Sequence, residues 1–344
     1  MATQFFLEAP IALVPVLLFL GALLYFDSYR LTSFIELMQT LCAGILLGVA
    51  AYFINGWLLT RSAIAFATYS HFVAPLIEEG LKAAALIWLF ARNRIGFMID
   101  AAIMGFAVGT GFSLFENIYY LYALPDADLG VWIIRGFGTA LMHGGATAMF
   151  AVLAQSFMER RGGLKPIWFL PSLLAAAAIH AAFNQFANLP LLGTIAVLVG
   201  LPPLFLLIFT KSEYAVHQWL VNDYKSHQQL LDEINSGQFK QSEAGRFMLN
   251  LTNKFDRATV ENMFRYMKLH TQVVLRAEQL TLAREKNEPA DPRPEDRADL
   301  LRLDALEKTI GRAALMALWP HLHFSRRELW KLHELHDELF FRKG

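Results

Sequence analysis

Apolar runs, each about as long as a bilayer is thick, dominate the first 210 residues of this chain. A membrane-crossing helix needs roughly 20 consecutive apolar residues. Seven stretches meet that length, near 9–26, 36–59, 64–91, 97–123, 131–157, 166–188 and 191–210. The interruptions are DSYR at 27–30, NGWLLTR at 55–61, RNR at 92–94, PDAD at 125–128, ERRGGLK at 159–165 and NLP at 188–190. None of the runs alternates with the period of a strand, and a helix satisfies its own backbone inside lipid. The first stretch lacks the basic start and small-residue cleavage site of a signal peptide and reads as a retained helix. The predicted fold is all-α, a polytopic membrane bundle of about seven transmembrane helices, followed by a helical domain in water.

Charge draws the same boundary. Residues 1–210 hold 9 Lys/Arg and 10 Asp/Glu, while residues 211–344 hold 21 and 20. The predicted domains are therefore 1–210 in the membrane and 211–344 outside it. In the second, apolar positions recur at helical spacing near 215–235, 256–286, 295–318 and 326–342, with the Pro-rich NEPADPRPED at 287–296 between two of them. Ser325, three residues before Glu328, has the pattern of a capping box opening the last helix. His321, His323, His333 and His336 have no acidic or thiol cluster at fixed spacing and read as solvated helix faces. Residues 211–344 resemble no family, and regulation, substrate recruitment, partner binding and homo-oligomerisation all stay open for them. A net charge of zero removes a whole-chain electrostatic case for nucleic acid. The single Cys42 excludes an intrachain disulfide and any zinc site built from several thiolates.

Lys/Arg bias in short loops sets orientation. The loops holding Arg92 and Arg94, and Arg160, Arg161 and Lys165, are basic, and the one at 124–130 between them is acidic. With seven spans, this puts the N-terminus outside and everything after Lys211 in the cytoplasm. Arg61 and Arg135 fall on the outer side against the rule.

Ionisable groups inside the spans carry the functional signal, because a charge at mid-bilayer costs at least ~2.5–3.5 kcal/mol and is kept for a reason. The third stretch has Glu78 and Glu79, with Lys82 one helical turn on. The fourth places Phe112, Glu116 and Tyr120 on one helix face. The fifth carries His143, and the sixth has His180 and Asn184 one turn apart. At about 1.5 Å per residue, Glu78, His143, His180 and Glu116 fall between the membrane centre and its outer half. Each has a plainer structural reading: a neutralising pair for Glu79 and Lys82, close packing for His143 beside two glycines, an interhelical clamp for His180 and Asn184, and an interfacial aromatic belt for Tyr120. Four helices carrying such groups at similar depth favour convergence on one cavity.

Glu78-Glu79-Gly80-Leu81-Lys82 as EExxK, Phe112 through Glu116-Asn117 to Tyr120 as FxxxENxxY, the helix-borne His143, and His180 to Asn184 as HxxxN resemble the PrsW intramembrane proteases, in that order and each within a span. The resemblance covers roughly residues 40–210. It places the chain in a wider group with the type II CAAX prenyl endopeptidases. Those carry EExxxR where this chain has Lys82, and a His where it has Glu116, so prenyl-substrate chemistry does not carry over. The resemblance implies cleavage of a membrane-spanning protein, such as an anti-sigma factor, on the extracytoplasmic side of a bacterial cytoplasmic membrane. Its partners are a transmembrane protein substrate and the bilayer, with no nucleic acid.

The implied chemistry is activation of water. Burial disfavours a charged carboxylate and suits it to general-base work, and a nearby Lys holds a second carboxylate ionised. The residues leave open which of Glu78 and Glu79 is the base, and the wider group carries that role to Glu78. Glu79 is then the partner oriented by Lys82, and His180 holds the water. His143 and Asn184 donate to the oxyanion, Glu116 belongs to the same catalytic set, and Lys82, Phe112 and Tyr120 support the site. Zinc on Glu79, Glu116, His143 and His180 is the alternative to a metal-free site, which is slightly preferred because no HExxH pattern is present. From other classes, a proton- or cation-coupled transporter and a non-catalytic receptor stay open, although no inverted repeat supports the first.

Overall fold

The computed structural model describes residues 2–27, 32–161, 164–286, 288–289, 291–318, 322 and 326–340. The described residues form helices and no strand, and the chain divides into two compact units, Met1–Glu213 and Tyr214–Gly344.

In the first unit the long helices are α1 (Ala2–Tyr25), α2 (Phe34–Arg61), α4 (Ala74–Ala91), α5 (Met98–Ala123), α7 (Ala140–Arg161), α8 (Phe169–Gln185) and the start of α9 (Pro190–Asn235). Two short pieces, α3 (Phe66–Thr68) and α6 (Leu129–Ile134), lead into π-helical turns at Tyr69–Val73 and Arg135–Thr139 that run on into α4 and α7. Helix α5 is the hub. It is buried along most of its length and packs against α1, α2, α4 and α7. Glycine permits that approach. A Cβ on Gly109 would overlap the His143 carbonyl of α7, and one on Gly111 would overlap the Leu41 carbonyl of α2.

Six helical stretches are long and apolar enough to cross a membrane: Leu7–Tyr25, Phe34–Arg61, Met98–Ala123, Leu129–Arg160, Pro166–Asn188 and Pro190–Asn235. Among the described residues the seventh expected stretch, 64–91, is a continuous helical run from Phe66 to Ala91, but its α4 is 18 residues long and carries three charges, Glu78, Glu79 and Lys82, so it is not apolar enough to be counted with the six. A π turn joins α4 to α3. Pro75 accounts for the turn, since proline has no N–H to donate and crowds the carbonyl four residues back, and the helix widens there. The break between the second and third stretches falls at 62–65: helix α2, expected over 36–59, continues to Arg61, and the polar Asn55 within it turns inward. Similarly, the stretches near 191–210 and 215–235 are one helix, α9, because KSEY at 211–214 contains nothing that stops a helix.

The second unit comprises the end of α9, a short 3₁₀ turn, α10 (Glu243–Leu251), α11 (Arg257–Glu285), α12 (Pro294–Leu318) and α13 (Arg326–Phe340). Helix α10, opened by a Ser242 hydroxyl that accepts from the Gly245 N–H, was not expected from the sequence. Its apolar core includes Phe239, Met248, Met263, Met267 and Leu318. Beside it lies a buried ionic cluster. His227 Nδ1 meets Glu278 at 3.1 Å and His227 Nε2 meets Glu328 at 3.2 Å, and Arg284 pairs with Glu334 at 2.7 Å and with Glu338. The expected capping box falls on Ser325, and two of the four histidines on His321 and His323, all outside the described residues. Of the other two, His333 is exposed and His336 partly so.

His270 on α11 is 1% exposed, and burial, reinforced by the charge on His227, pushes its imidazole down to about 3. An unfolded histidine titrates near 6.5. Between those values the unfolded chain binds a proton that the folded one refuses, so stability present above about pH 6.5 is lost as pH falls. In hydrogen exchange, relative to His270→Gln, the full chain is expected to lose protection along α11 worth on the order of 1 kcal/mol between about pH 7.5 and 5.5, on top of the opposite slope of His227, which, against the cost of burial, Glu278 and Glu328 raise to about 10. An unchanged slope in the variant would assign the loss to other groups.

Candidate active site

Every polar residue singled out in the membrane unit lies in one connected cluster. Helix α4 supplies Glu78, Glu79 and Lys82, α5 supplies Phe112, Glu116 and Tyr120, α7 supplies His143, and α8 supplies His180 and Asn184. Lys82 sits at the centre, with no exposed side chain. Its Nζ donates to Glu79 Oε1 at 2.5 Å and to His143 Nδ1 at 3.0 Å, and lies 4.4 Å from the centre of the Phe112 ring.

That contact fixes the protons around it. An ammonium only donates, so His143 Nδ1 is unprotonated and Nε2 carries the hydrogen. Nε2 then donates to Glu116 Oε2 at 2.9 Å. The other Glu116 oxygen pairs with Arg135 at 3.2 Å. Arg135 is held in turn by the Asn117 side chain at 2.9 Å and lies over the Tyr120 ring at 3.9 Å. On the other side, Glu79 Oε1 accepts from His180 Nδ1 at 2.9 Å, and Glu79 Oε2 faces the Thr147 hydroxyl at 3.3 Å. Glu79 is 1% exposed; its Oε1 takes both the Lys82 and His180 hydrogens, while the single Thr147 hydrogen has a shorter path to the His143 carbonyl, at 2.8 Å.

Two groups are left facing open space. When the imidazole is neutral and Nδ1 donates to Glu79, His180 Nε2 bears a lone pair, 3.9 Å from Glu78 Oε2. Glu78 Oε1 accepts from Asn55 at 3.1 Å, and Oε2 has no closer partner among the described residues. Both residues line a 590 Å³ cavity, together with Asn55, Tyr69, Glu116 and Asn184. Asn184 gives one amide hydrogen to the Ser70 carbonyl at 2.9 Å and keeps a second. Ligand atoms of Glu78, His143 and His180 lie within 4.8 Å of one another, the donor types and spacing of a metal site. The acids that join the two histidines there are thus reduced to Glu78; Glu79 and Glu116, also considered as ligands, are engaged with Lys82 and Arg135.

Sequence reasoning assigned no role to Arg135, Asn55 or Tyr69. Arg135 broke the loop-charge pattern, and that exception was its signal: it is an interior cation, 14% exposed and paired with Glu116. Asn55 lies both in the stretch 36–59 and at the start of the interruption at 55–61, and nothing in the sequence marks it as facing a carboxylate. Tyr69, whose hydroxyl donates to Asn55 Oδ1 at 2.9 Å, had no pattern to mark it.

A family model described as PrsW family intramembrane metalloprotease matches residues 33–209. No curated protein and no solved structure matches the chain.

Removing one member of a buried ion pair leaves an uncompensated charge, whereas removing both is often close to neutral. Lys82→Met is therefore expected to destabilise the membrane unit by about 3–5 kcal/mol, and adding Glu79→Gln is expected to recover most of the loss. Thermal unfolding of the three forms in one detergent checks this; a double variant no more stable than Lys82→Met would contradict it.

Proposed function

The chain belongs to the PrsW family of intramembrane metalloproteases, and from that premise we propose that it hydrolyses a peptide bond of a membrane-spanning protein with a water molecule activated by Glu78 and His180. One observation carries this reading: Glu78 Oε2 and His180 Nε2 are the open acceptors of the cluster, side by side at the cavity wall. Two acceptors 3.9 Å apart suit a water that donates to both and presents its oxygen to a carbonyl carbon.

In the proposed reaction, Glu78 takes a proton as the water oxygen bonds to the scissile carbon and the carbonyl electrons move onto oxygen. The tetrahedral oxyanion collapses, the C–N bond breaks, and Glu78 returns the proton to the departing amine. The spare amide hydrogen of Asn184 is proposed to meet the oxyanion, an interaction often worth about 3 kcal/mol in the barrier. His143, whose two nitrogens are engaged by Lys82 and Glu116, takes a positioning role instead of an oxyanion-binding one. Glu79, held by Lys82, fixes the tautomer of His180.

The family's description implies a metal, and Glu78, His143 and His180 are the residues that would hold it. A catalytic zinc takes three protein ligands and leaves a place for water. His143 does not fit, because one nitrogen accepts from the Lys82 ammonium and the other donates to Glu116. That leaves two free ligands, and the proposed reaction uses none of a metal's chemistry.

The loop charges support an N-terminus outside, residues 211–344 in the cytoplasm and a site in the outer half of the membrane. A single-pass regulator of the anti-sigma-factor kind, cut near its outer end, is the substrate proposed. Family membership favours hydrolysis over proton- or cation-coupled transport.

Cleavage of a panel of single-pass membrane proteins co-reconstituted with the purified chain tests the reading. Glu78→Gln is expected to slow cleavage by at least about 100-fold, the contribution of a general base. Turnover retained in that variant would remove Glu78 as the base.

A further inference from the structure

Glu78 is the acid of the cluster without a lysine or arginine bonded to it, and the amide that holds it lies outside all four motifs. Asn55 belongs to α2, and Tyr69 opens the π turn before α4. Tyr69 is 3% exposed, and its hydroxyl donates to Asn55 Oδ1 at 2.9 Å. With its acceptor end taken, the Asn55 amide presents Nδ2 to Glu78 Oε1 at 3.1 Å. In the ionised form that a base must start from, Glu78 only accepts, and the reverse amide orientation would then set two acceptors against each other.

We propose that Asn55, locked by Tyr69, is a positioning residue that selects the catalytic oxygen of Glu78. Holding Oε1 leaves Oε2 to address the water beside His180 Nε2. The tether also settles a competition on α4. Glu78 and Lys82 stand at i and i+4, the spacing of a Glu–Lys pair, yet Lys82 bonds to Glu79 and His143. The terminal torsion of a glutamate is broad, and an untethered Glu78 is free to turn along its helix toward that ammonium, away from His180. The π turn takes part because its extra residue rotates the preceding segment by about 100° relative to α4. That rotation carries Tyr69 to the face where α2 presents Asn55.

This inference rests on the reading of Glu78 as the base, and the experiment separates the two. The full chain is reconstituted with a reporter made of one apolar helix of about 20 residues with polar flanks, a fluorophore at one end and a quencher at the other. Asn55→Leu, which keeps the shape and removes both hydrogen bonds, is expected to lower kcat about 10- to 100-fold with KM within about twofold, the scale for losing a hydrogen bond to a charged group. Asn55→Asp, the same size with a like charge, is expected to lose at least as much, and Asn55→Gln to recover part of the rate. Tyr69→Phe, which removes a single oxygen, is expected to cost about three- to tenfold alone and nothing further in the Asn55→Leu background.

A loss confined to KM or to the amount of folded protein, or additive effects of the two residues, would overturn the proposal. A substrate-free readout runs beside it. The Glu78 carboxylate band, isolated in the infrared as wild type minus Glu78→Gln, is expected to shift in Asn55→Leu and in Tyr69→Phe, and an unshifted band would also overturn it. If Glu78→Gln is inactive while the Asn55 and Tyr69 variants match wild type in rate and spectrum, the positioning role alone fails. If Glu78→Gln remains active, the base assignment itself fails.

Discussion

An ammonium group shut away from water needs an acceptor in each direction it points, and Lys82 finds them on two helices and an aromatic face on a third. Glu79 lies one turn back along α4, His143 comes from α7, and the Phe112 ring comes from α5. The protonation pattern of the site follows from that placement. His143 must leave Nδ1 bare and give its hydrogen to Glu116, which then needs Arg135 to satisfy its second oxygen. Glu79 takes Lys82 and His180 on one oxygen, Oε1, and so turns Nε2 of His180 toward Glu78. One buried cation thus sets two imidazole tautomers and sorts three glutamates into two that are bound and one that is open.

The scaffold supplies the close approach that this sorting requires. Glycines on α5 bring it against the backbones of α7 and α2. That contact fixes His143 near Phe112, with the ring centres 5.1 Å apart. The two π turns begin at Tyr69 and Arg135, which hold the outer ends of the hydrogen-bonded chain at Asn55 and Glu116. Widened turns of this kind concentrate at functional sites because they re-aim a few side chains without ending the helix.

Much of this was legible in the sequence, for physical reasons that differ by residue. The span expected at 97–123 corresponds to α5 at Met98–Ala123, since nothing inside it competes with apolar length as a signal. At 64–91 the helix runs on as its length suggests, but three charged residues lower its apolar character, and composition was silent at Asn55, because a polar residue near a span end looks the same whether it faces headgroups or a neighbouring carboxylate. EExxK and HxxxN announce themselves through charge and periodicity. The partners Asn55, Tyr69 and Arg135 are joined to the motifs only across helices, and a single sequence carries no record of those contacts. The spacing of Glu79 and Lys82 pointed to a pair, but nothing in it said that Lys82 would also reach a histidine 61 residues away.

That second contact carries the chemical argument. A lysine on one His143 nitrogen, with Glu116 on the other, is the ground for the proposal that a catalytic zinc lacks its third ligand here and that Glu78 and His180 activate the water. The most direct test measures bound metal by elemental analysis and the cleavage rate on the same preparations, before and after treatment with a chelator. The account predicts a rate per chain that is unchanged as metal content falls toward zero. A rate that tracks one bound metal per chain, is lost on chelation and returns with added zinc would contradict it, and would mean that His143 gives up Lys82 or Glu116 in the working enzyme.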